Sequence, residues 1–138
     1  MGGVRIPHSR GLDGHSDADV LVHAVMDAVL GALALGDIGN WFPDNDSAWK
    51  DADSMGLLKI ILESEALRGW GLGNLDVVIL AEEPRLAPHM PEMRKNLARA
   101  FGVPESAVSV KATTTEKLGF CGRAEGVAAT AVVLLKKN

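Results

Sequence analysis

Apolar positions change their spacing several times along the chain, and each change predicts an element. Val4 to Pro7 reads as a short strand, cut off by Pro7. From Val20 to Leu35 the sequence is apolar almost all round, which predicts a buried helix. Ser16-x-x-Asp19 reads as its capping box and Gly36 as its stop. Leu57, Leu58, Ile61, Leu62 and Ala66 recur at helical spacing, giving a second helix capped by Asp53 or Ser54 and ended by "RGWGLGN". "LDVVILAE" is β-branched and nearly all apolar, as in a strand buried on both faces. Pro91 opens a third helix through Phe101. "AVSVKAT" alternates as a half-buried strand, and "GVAATAVVLLKK" is a final strand with a charged end. This interleaving predicts an α/β (α+β) fold, a single domain over residues 1–138, with a mixed sheet and helices packed on one face. Loops leaving the strand ends are then the expected ligand sites.

Length and composition narrow the function classes. A chain of 138 residues suits one hydrophobic core, and 47% hydrophobic with 23% charged residues predicts a folded protein. The formal net charge is −4, with Lys and Arg scattered, which disfavours nucleic acid or an anionic membrane as partner. An anionic ligand would therefore need a metal ion to offset repulsion. Cys121 is the only cysteine, so neither an intrachain disulfide nor a thiolate zinc cage can form. No signal-peptide pattern opens the sequence, and the longest apolar run is short for a membrane span and interrupted by His23 and Asp27. A cytoplasmic protein is expected.

Three stretches carry candidate chemistry. Asp19, His23 and Asp27 stand at four-residue intervals, one stripe on an otherwise apolar helix. An isolated histidine there is most simply a satisfied interface residue; the sharper reading is a metal ligand oriented by a neighbouring carboxylate, strengthened by His15 and Asp17 just upstream. "FPDNDSAW" resembles a calcium loop only superficially, because Ala48 and Trp49 stand where a ligand and a glycine are needed; an Asp/Asn turn is the better reading. Asp37 differs, since Gly36 and Gly39 let backbone approach a ligand closely. In "VKATTTEKLGFCGR", Thr113-x-x-Glu116 fits a capping box, but that leaves three consecutive threonines unexplained. A nest of N–H groups and hydroxyls with Arg123 nearby suits phosphate oxygens, and Glu116 would repel them unless a divalent cation lay between. No serine–histidine–aspartate order or reactive-cysteine context points to acyl transfer.

Three blocks, "HSDADVLVHAVMDAVLGALALGDIGNWFPD", "ILAEEPRLAPHMPEM" and "VKATTTEKLGFCGRAEG", resemble the 2-C-methyl-D-erythritol 2,4-cyclodiphosphate synthase family of the non-mevalonate isoprenoid pathway. The resemblance runs from Gly2 to the C-terminus, in order and at family spacing. It implies a homotrimer with sheets facing the threefold axis and active sites between subunits. It also implies conversion of 4-diphosphocytidyl-2-C-methyl-D-erythritol 2-phosphate into the cyclic diphosphate with release of CMP, a lyase reaction dependent on zinc and on magnesium or manganese.

The resemblance further implies roles for individual residues. His23 matches a zinc ligand, and Glu116 the carboxylate on the magnesium or manganese ion. His15 and Thr114 match the pair that positions and stabilises the transferring phosphates, with Ser16 beside His15. Asp37, Ile38 and Gly39, then Phe42, Pro43, Asp44, Asn45 and Asp46, match the methylerythritol-binding part. Ala81, Glu82, Glu83, Pro84, Arg85, Leu86 and Ala87 match the cytidine and diphosphate pocket. Ala112, Thr113 and Thr115 join Thr114 and Glu116 there, and Phe120 and Arg123 match positions near the substrate and an axial cavity. The family pattern also has an Asp-x-His pair supplying two more zinc ligands, ahead of the segment aligned with "GGVRIP". The one Asp-x-His of this sequence, Asp13-Gly14-His15, belongs to the later block in which His15 has its own match, and no such pair stands ahead of "GGVRIP", so zinc is expected to be held loosely and turnover to be poor. The alternative expectation is a non-catalytic trimer that binds a nucleotide or isoprenoid diphosphate without zinc.

Overall fold

Asp19, rather than Ser16, starts the first helix. Its carboxylate accepts from the Val22 amide at 3.2 Å and caps α1 (Val20–Ala32). The same buried carboxylate accepts from the Gly2 and Gly3 amides at 2.8 and 3.0 Å. The predicted strand Val4–Pro7 is therefore irregular chain following a segment tied to the start of α1, outside the sheet. The helix also stops before Leu35. Ala34 adopts a left-handed φ of 55°, and the Leu35 N–H closes back on the Leu30 carbonyl at 2.9 Å.

The computed structural model describes all 138 residues. After α1 come a single turn α2 (Ile38–Trp41), α3 (Ser54–Glu63) and the long strand β1 (Trp70–Leu80). Then follow α4 (Met90–Phe101), β2 (Val108–Thr113), a single turn α5 (Gly119–Gly122) and β3 (Ala128–Lys137). Asp53 is the cap of α3, its carboxylate accepting from Gly56 N at 3.0 Å. β1 takes in much of the "RGWGLGN" segment, whose pattern marks only the end of the second helix. A bulge between Leu72 and Asn74 absorbs Gly73 and lets Trp70–Leu72 continue the pairing with β3.

The sheet is mixed, in the order β2-β1-β3, with β1 parallel to β2 and antiparallel to β3. Leu72, Leu75, Val77 and Ile79 of β1 are buried in one core with Leu21, Val22, Val25, Met26, Val29 and Leu30 of α1, which lies mainly over β3. Each such side chain stabilises the fold by about 1.5–3 kcal/mol when fully buried. The opposite face of the sheet is open in a single chain: Val132 is 67% exposed and Leu134 62%. β1 is thus buried on one face, where its apolar run predicted two. Leu80 lies opposite Thr113, so β1 and β2 end side by side and their following loops leave the sheet together.

Candidate active site

The first cluster is built where α1 meets α3. The loop before α1 is laced to the loop before α3 by Asp51 N–H to the His15 carbonyl (2.9 Å) and Asp17 N–H to the Ala52 carbonyl (3.2 Å). The Asp17 carboxylate completes the lacing, accepting from Ser54 N–H at 3.0 Å and, through its other oxygen, from the Ser54 hydroxyl. Ser54 is fully buried at the first turn of α3, and its Oγ lies 2.9 Å from His23 Nε2; Ser16 Oγ lies 3.1 Å from the same nitrogen. His23 Nδ1 has no hydrogen bond. Burial raises the Asp17 carboxyl, but the Ser54 hydroxyl and amide, then the Asp19 amide and the His23 charge, outweigh it and leave it below the ordinary carboxylate range.

The acidic stripe proposed from spacing is used differently. Asp19 caps the helix, and Asp27 accepts from Ile38 N–H at 2.8 Å, so the carboxylate that reaches His23 is Asp17, acting through Ser54. Asp37 caps the α2 turn by accepting from Asn40 N–H at 3.0 Å, and Asp46 does the same for Ala48 at 2.9 Å. The Asp46 contact is the Asx-type turn expected of its segment, whereas Asp37, read from its flanking glycines as a place of close ligand approach, caps a helical turn. Asp44 and Asn45 stay exposed between them, on a loop anchored by the edge-to-face contact of Phe42 and Trp49 at 5.0 Å. His15 Nε2 is buried without any hydrogen-bond partner, an orphan that a polar ligand could satisfy.

The second cluster sits where β1 and β2 end. Ala81 N–H still pairs with the Thr113 carbonyl at 3.0 Å, holding the two exits together. Glu82 then accepts from the amides of Thr115 (3.2 Å) and Lys117 (3.0 Å). The amide nest expected to receive phosphate is therefore largely filled by the chain's own carboxylate. The three threonines also part company. Thr113 donates its hydroxyl to the Thr114 carbonyl, and Thr115 donates to the Leu118 carbonyl at 2.6 Å. Thr114 Oγ1 only accepts, from Glu116 N–H at 3.3 Å, so its hydroxyl hydrogen alone is free for a ligand.

Glu116 and Lys117 hold left-handed φ values of 52° and 64° in this turn. A Cβ on Gly122 would lie 2.2 Å from the Lys117 carbonyl carbon, so α5 can pack here only with glycine at that position. The Glu116 carboxylate projects without a hydrogen bond or ion pair. Arg123 is committed to Glu125 (2.8 and 3.1 Å) rather than offered to a phosphate; this pairing raises the guanidinium and lowers the carboxyl.

Within one chain the two clusters do not bond to each other. No hydrogen bond or ion pair joins His15 or His23 to Thr114 or Glu116, and no three His, Cys, Asp or Glu side chains converge as a cation site. His23, with Nε2 engaged and Nδ1 unpartnered, suits one position of a zinc site; the unpaired Glu116 carboxylate suits a magnesium or manganese ion. Neither completes a coordination sphere alone. A cavity of about 320 Å³ is lined by the N-terminal segment between Met1 and Leu12 together with Asp17, Ala18, Glu83, Pro84 and Glu125, and by none of the four central residues.

Residues 1–136 match the model of the YgbB family. This chain belongs to that family. A YgbB relative, the 2-C-methyl-D-erythritol 2,4-cyclodiphosphate synthase of Salinibacter ruber, is 58% identical over 136 residues, covering 99% of this chain and 87% of the relative. Among solved structures, the bifunctional IspDF from Campylobacter jejuni is 45% identical with a TM-score of 0.93, covering 99% of this chain and 37% of that longer one. A CDP-bound form of 2C-methyl-D-erythritol-2,4-cyclodiphosphate synthase is 35% identical with a TM-score of 0.87, covering 98% of this chain and 87% of that one.

The family blocks contain the loops of both clusters but not every residue that builds them. Ser54 was legible only as a possible cap, because its partners His23 and Asp17 are distant in sequence. Glu82 was legible as a pocket residue, whereas its carboxylate grips the threonine turn from a neighbouring loop. The signal available for Ser54 was its place beside Asp53, at a helix start where a short hydroxyl side chain can reach a neighbouring loop.

Proposed function

We propose that this chain is a 2-C-methyl-D-erythritol 2,4-cyclodiphosphate synthase, cyclising 4-diphosphocytidyl-2-C-methyl-D-erythritol 2-phosphate and releasing CMP. The observation that carries the reading is the threonine turn. Of three hydroxyls, Thr114 alone keeps a free hydrogen, and it sits next to the unpaired carboxylate of Glu116 at the shared strand end. Such a pair suits a diphosphate: one group donates to a phosphate oxygen and the other meets it through a cation.

In the reaction a 2-phosphate oxygen bonds to the β-phosphorus while the bond from that phosphorus to the CMP oxygen breaks, its electrons leaving on CMP. Nucleophile and leaving group are both phosphates, so no strong base is needed; the barrier lies in folding the substrate back and in gathering negative charge. Zinc at His23 and magnesium or manganese at Glu116 would supply positive charge to those oxygens. Thr114 donates to the diphosphate, and His15 Nε2, otherwise orphaned, donates to or positions the attacking phosphate. The Asp37–Gly39 turn and the Phe42–Asp46 loop hold the methylerythritol. The Ala81–Ala87 loop and the Ala112–Thr115 strand end hold cytidine and its diphosphate, with Phe120 and Arg123 at the margin.

A homotrimer completes this arrangement. That no hydrogen bond or ion pair links the histidine and threonine clusters within one chain supports a site made by one cluster of each of two subunits, and exposed Val132 and Leu134 on the open sheet face support assembly through that face. No helix is long and apolar enough to cross a membrane, and we place the protein in the cytoplasm.

Phosphorus NMR of the protein with substrate, zinc and magnesium tests the reaction. The expected products are CMP and the cyclic diphosphate in equal amounts. Nucleotide binding without CMP release would instead favour the non-catalytic binder, and release of a linear phosphate would indicate a hydrolase.

A further inference from the structure

We propose that Ser54 and Asp17 are positioning residues that hold the His23 ring as its Nε2–H tautomer, making Nδ1 its metal-binding nitrogen. The use of this relay rests on His23 being a metal ligand; the relay itself does not.

The assignment follows from counting hydrogens. An ionised Asp17 can only accept, and it is gripped from two sides, by the Ser54 amide at 3.0 Å and by the Ser54 hydroxyl. Ser54 has one hydroxyl hydrogen, and that contact uses it. The 2.9 Å approach of Ser54 Oγ to His23 Nε2 then needs a hydrogen from the ring, because otherwise two lone pairs would face each other. Ser16 Oγ, 3.1 Å from Nε2, is placed as a second acceptor for the same hydrogen. Nothing in the chain bonds to Nδ1, so the neutral ring keeps a lone pair there.

The relay is also held in place. Asp17 is fixed by its own N–H on the Ala52 carbonyl at 3.2 Å and by the Asp19 N–H on its carboxylate at 3.2 Å, while Ser54 is fully buried. Turning the Ser54 hydroxyl toward Nε2 to permit the other tautomer would strip the carboxylate of its closest donor. The Nε2–H form should therefore exceed the other by roughly tenfold or more. A ligating histidine whose second nitrogen donates to a fixed partner is a more basic, better aimed ligand, and losing such a partner typically lowers metal affinity about 10–100-fold.

Nitrogen-15 NMR of the histidine rings in the metal-free protein, at a pH of about 8.5 where an ordinary imidazole is neutral, reads the tautomer directly. Loss of a ring signal in His23→Gln assigns it. The wild-type ring is expected as Nε2–H, and both Ser54→Ala and the exposed-site variant Asp17→Ala should give a mixture. A wild-type ring carrying its proton on Nδ1, or a wild-type tautomer ratio unchanged in a folded Asp17→Ala, overturns the relay. Added zinc should shift Nδ1 and keep the Nε2–H signal, with affinity falling about 10–100-fold in Ser54→Ala. Zinc bound at Nε2 overturns the proposal. A His23 ring unmoved by zinc while the metal-free tautomer is as expected overturns the metal reading and leaves the relay standing.

Discussion

The histidine cluster and the threonine turn are built by opposite means. Around His23 the work is done by side chains: a fully buried serine, a two-point carboxylate and a capped helix, all laced between α1 and α3. Around Thr114 it is done by backbone: two successive left-handed residues, two amides on Glu82 and a glycine that lets α5 come close. The first cluster shares the core's stability, whereas the second is an exposed loop that one carboxylate holds in shape. A ligand that needs one aimed nitrogen suits the first kind of construction. A flexible diphosphate, met by a hydroxyl and a carboxylate that can adjust to it, suits the second.

The largest effect should come from separating the three threonines. Thr114→Val removes the free hydroxyl hydrogen and should lower turnover about 10²–10³-fold, as for loss of one donor to a transition-state oxygen. Thr113→Val removes a hydroxyl that bonds the neighbouring carbonyl and should cost a few fold at most. Steady-state CMP release measures both; equal losses would refute the assignment of Thr114 from its hydrogen bonds.

Stability should separate the clusters next. Asp19→Ala loses the α1 cap and the acceptor of the Gly2 and Gly3 amides, and should destabilise the whole fold by about 2–3 kcal/mol in denaturant unfolding. Gly122→Ala places a Cβ 2.2 Å from the Lys117 backbone carbonyl carbon, which must move, and should cost about 2–3 kcal/mol, at the upper end of ordinary overpacking effects, unless the turn opens to relieve it. Its clearer sign is faster hydrogen exchange at the Thr115 and Lys117 amides with no change around His23. Exchange rising equally in both places would mean that the clusters are not independent.

The smallest effect concerns pH. The hydrogen bond from Arg123 holds the Glu125 carboxyl below the ordinary carboxylate range. A carboxyl lowered in the folded state contributes stability above the unfolded value, and that contribution is lost as pH falls through the folded one. Glu125→Gln should therefore match wild type in strong acid and lie slightly below it at neutral pH. Because the pair is exposed, the gap should shrink with salt.

How far the sequence reveals the molecule follows the same division. Periodicity finds α3, α4, β2 and β3 to within a few residues, since each has a cap, a proline or a clear alternation. It misplaces the start of α1, because Ser16 and Asp19 are both good caps and only the N-terminal amides that converge on Asp19 decide between them. It reads Val4–Pro7 as a strand although no partner strand pairs with it. Motif blocks point to candidate loops, but roles within them depend on where each hydrogen goes. Three identical threonines differ only in their acceptors, and the carboxylate that reaches His23 does so through a serine 31 residues further along the chain.

The most direct test of the central claim, that one subunit's histidine cluster works with another's threonine turn, is complementation. His23→Ala and Thr114→Ala chains are each expected to be nearly inactive. Unfolded together and refolded, they should form mixed trimers in which some sites draw an intact His23 from one chain and an intact Thr114 from the other. CMP release should then return to a substantial fraction of the wild-type rate, and only in the mixture. Mixed trimers shown by mass spectrometry to form, yet no more active than either variant alone, would place both clusters of each site in a single chain and contradict the account.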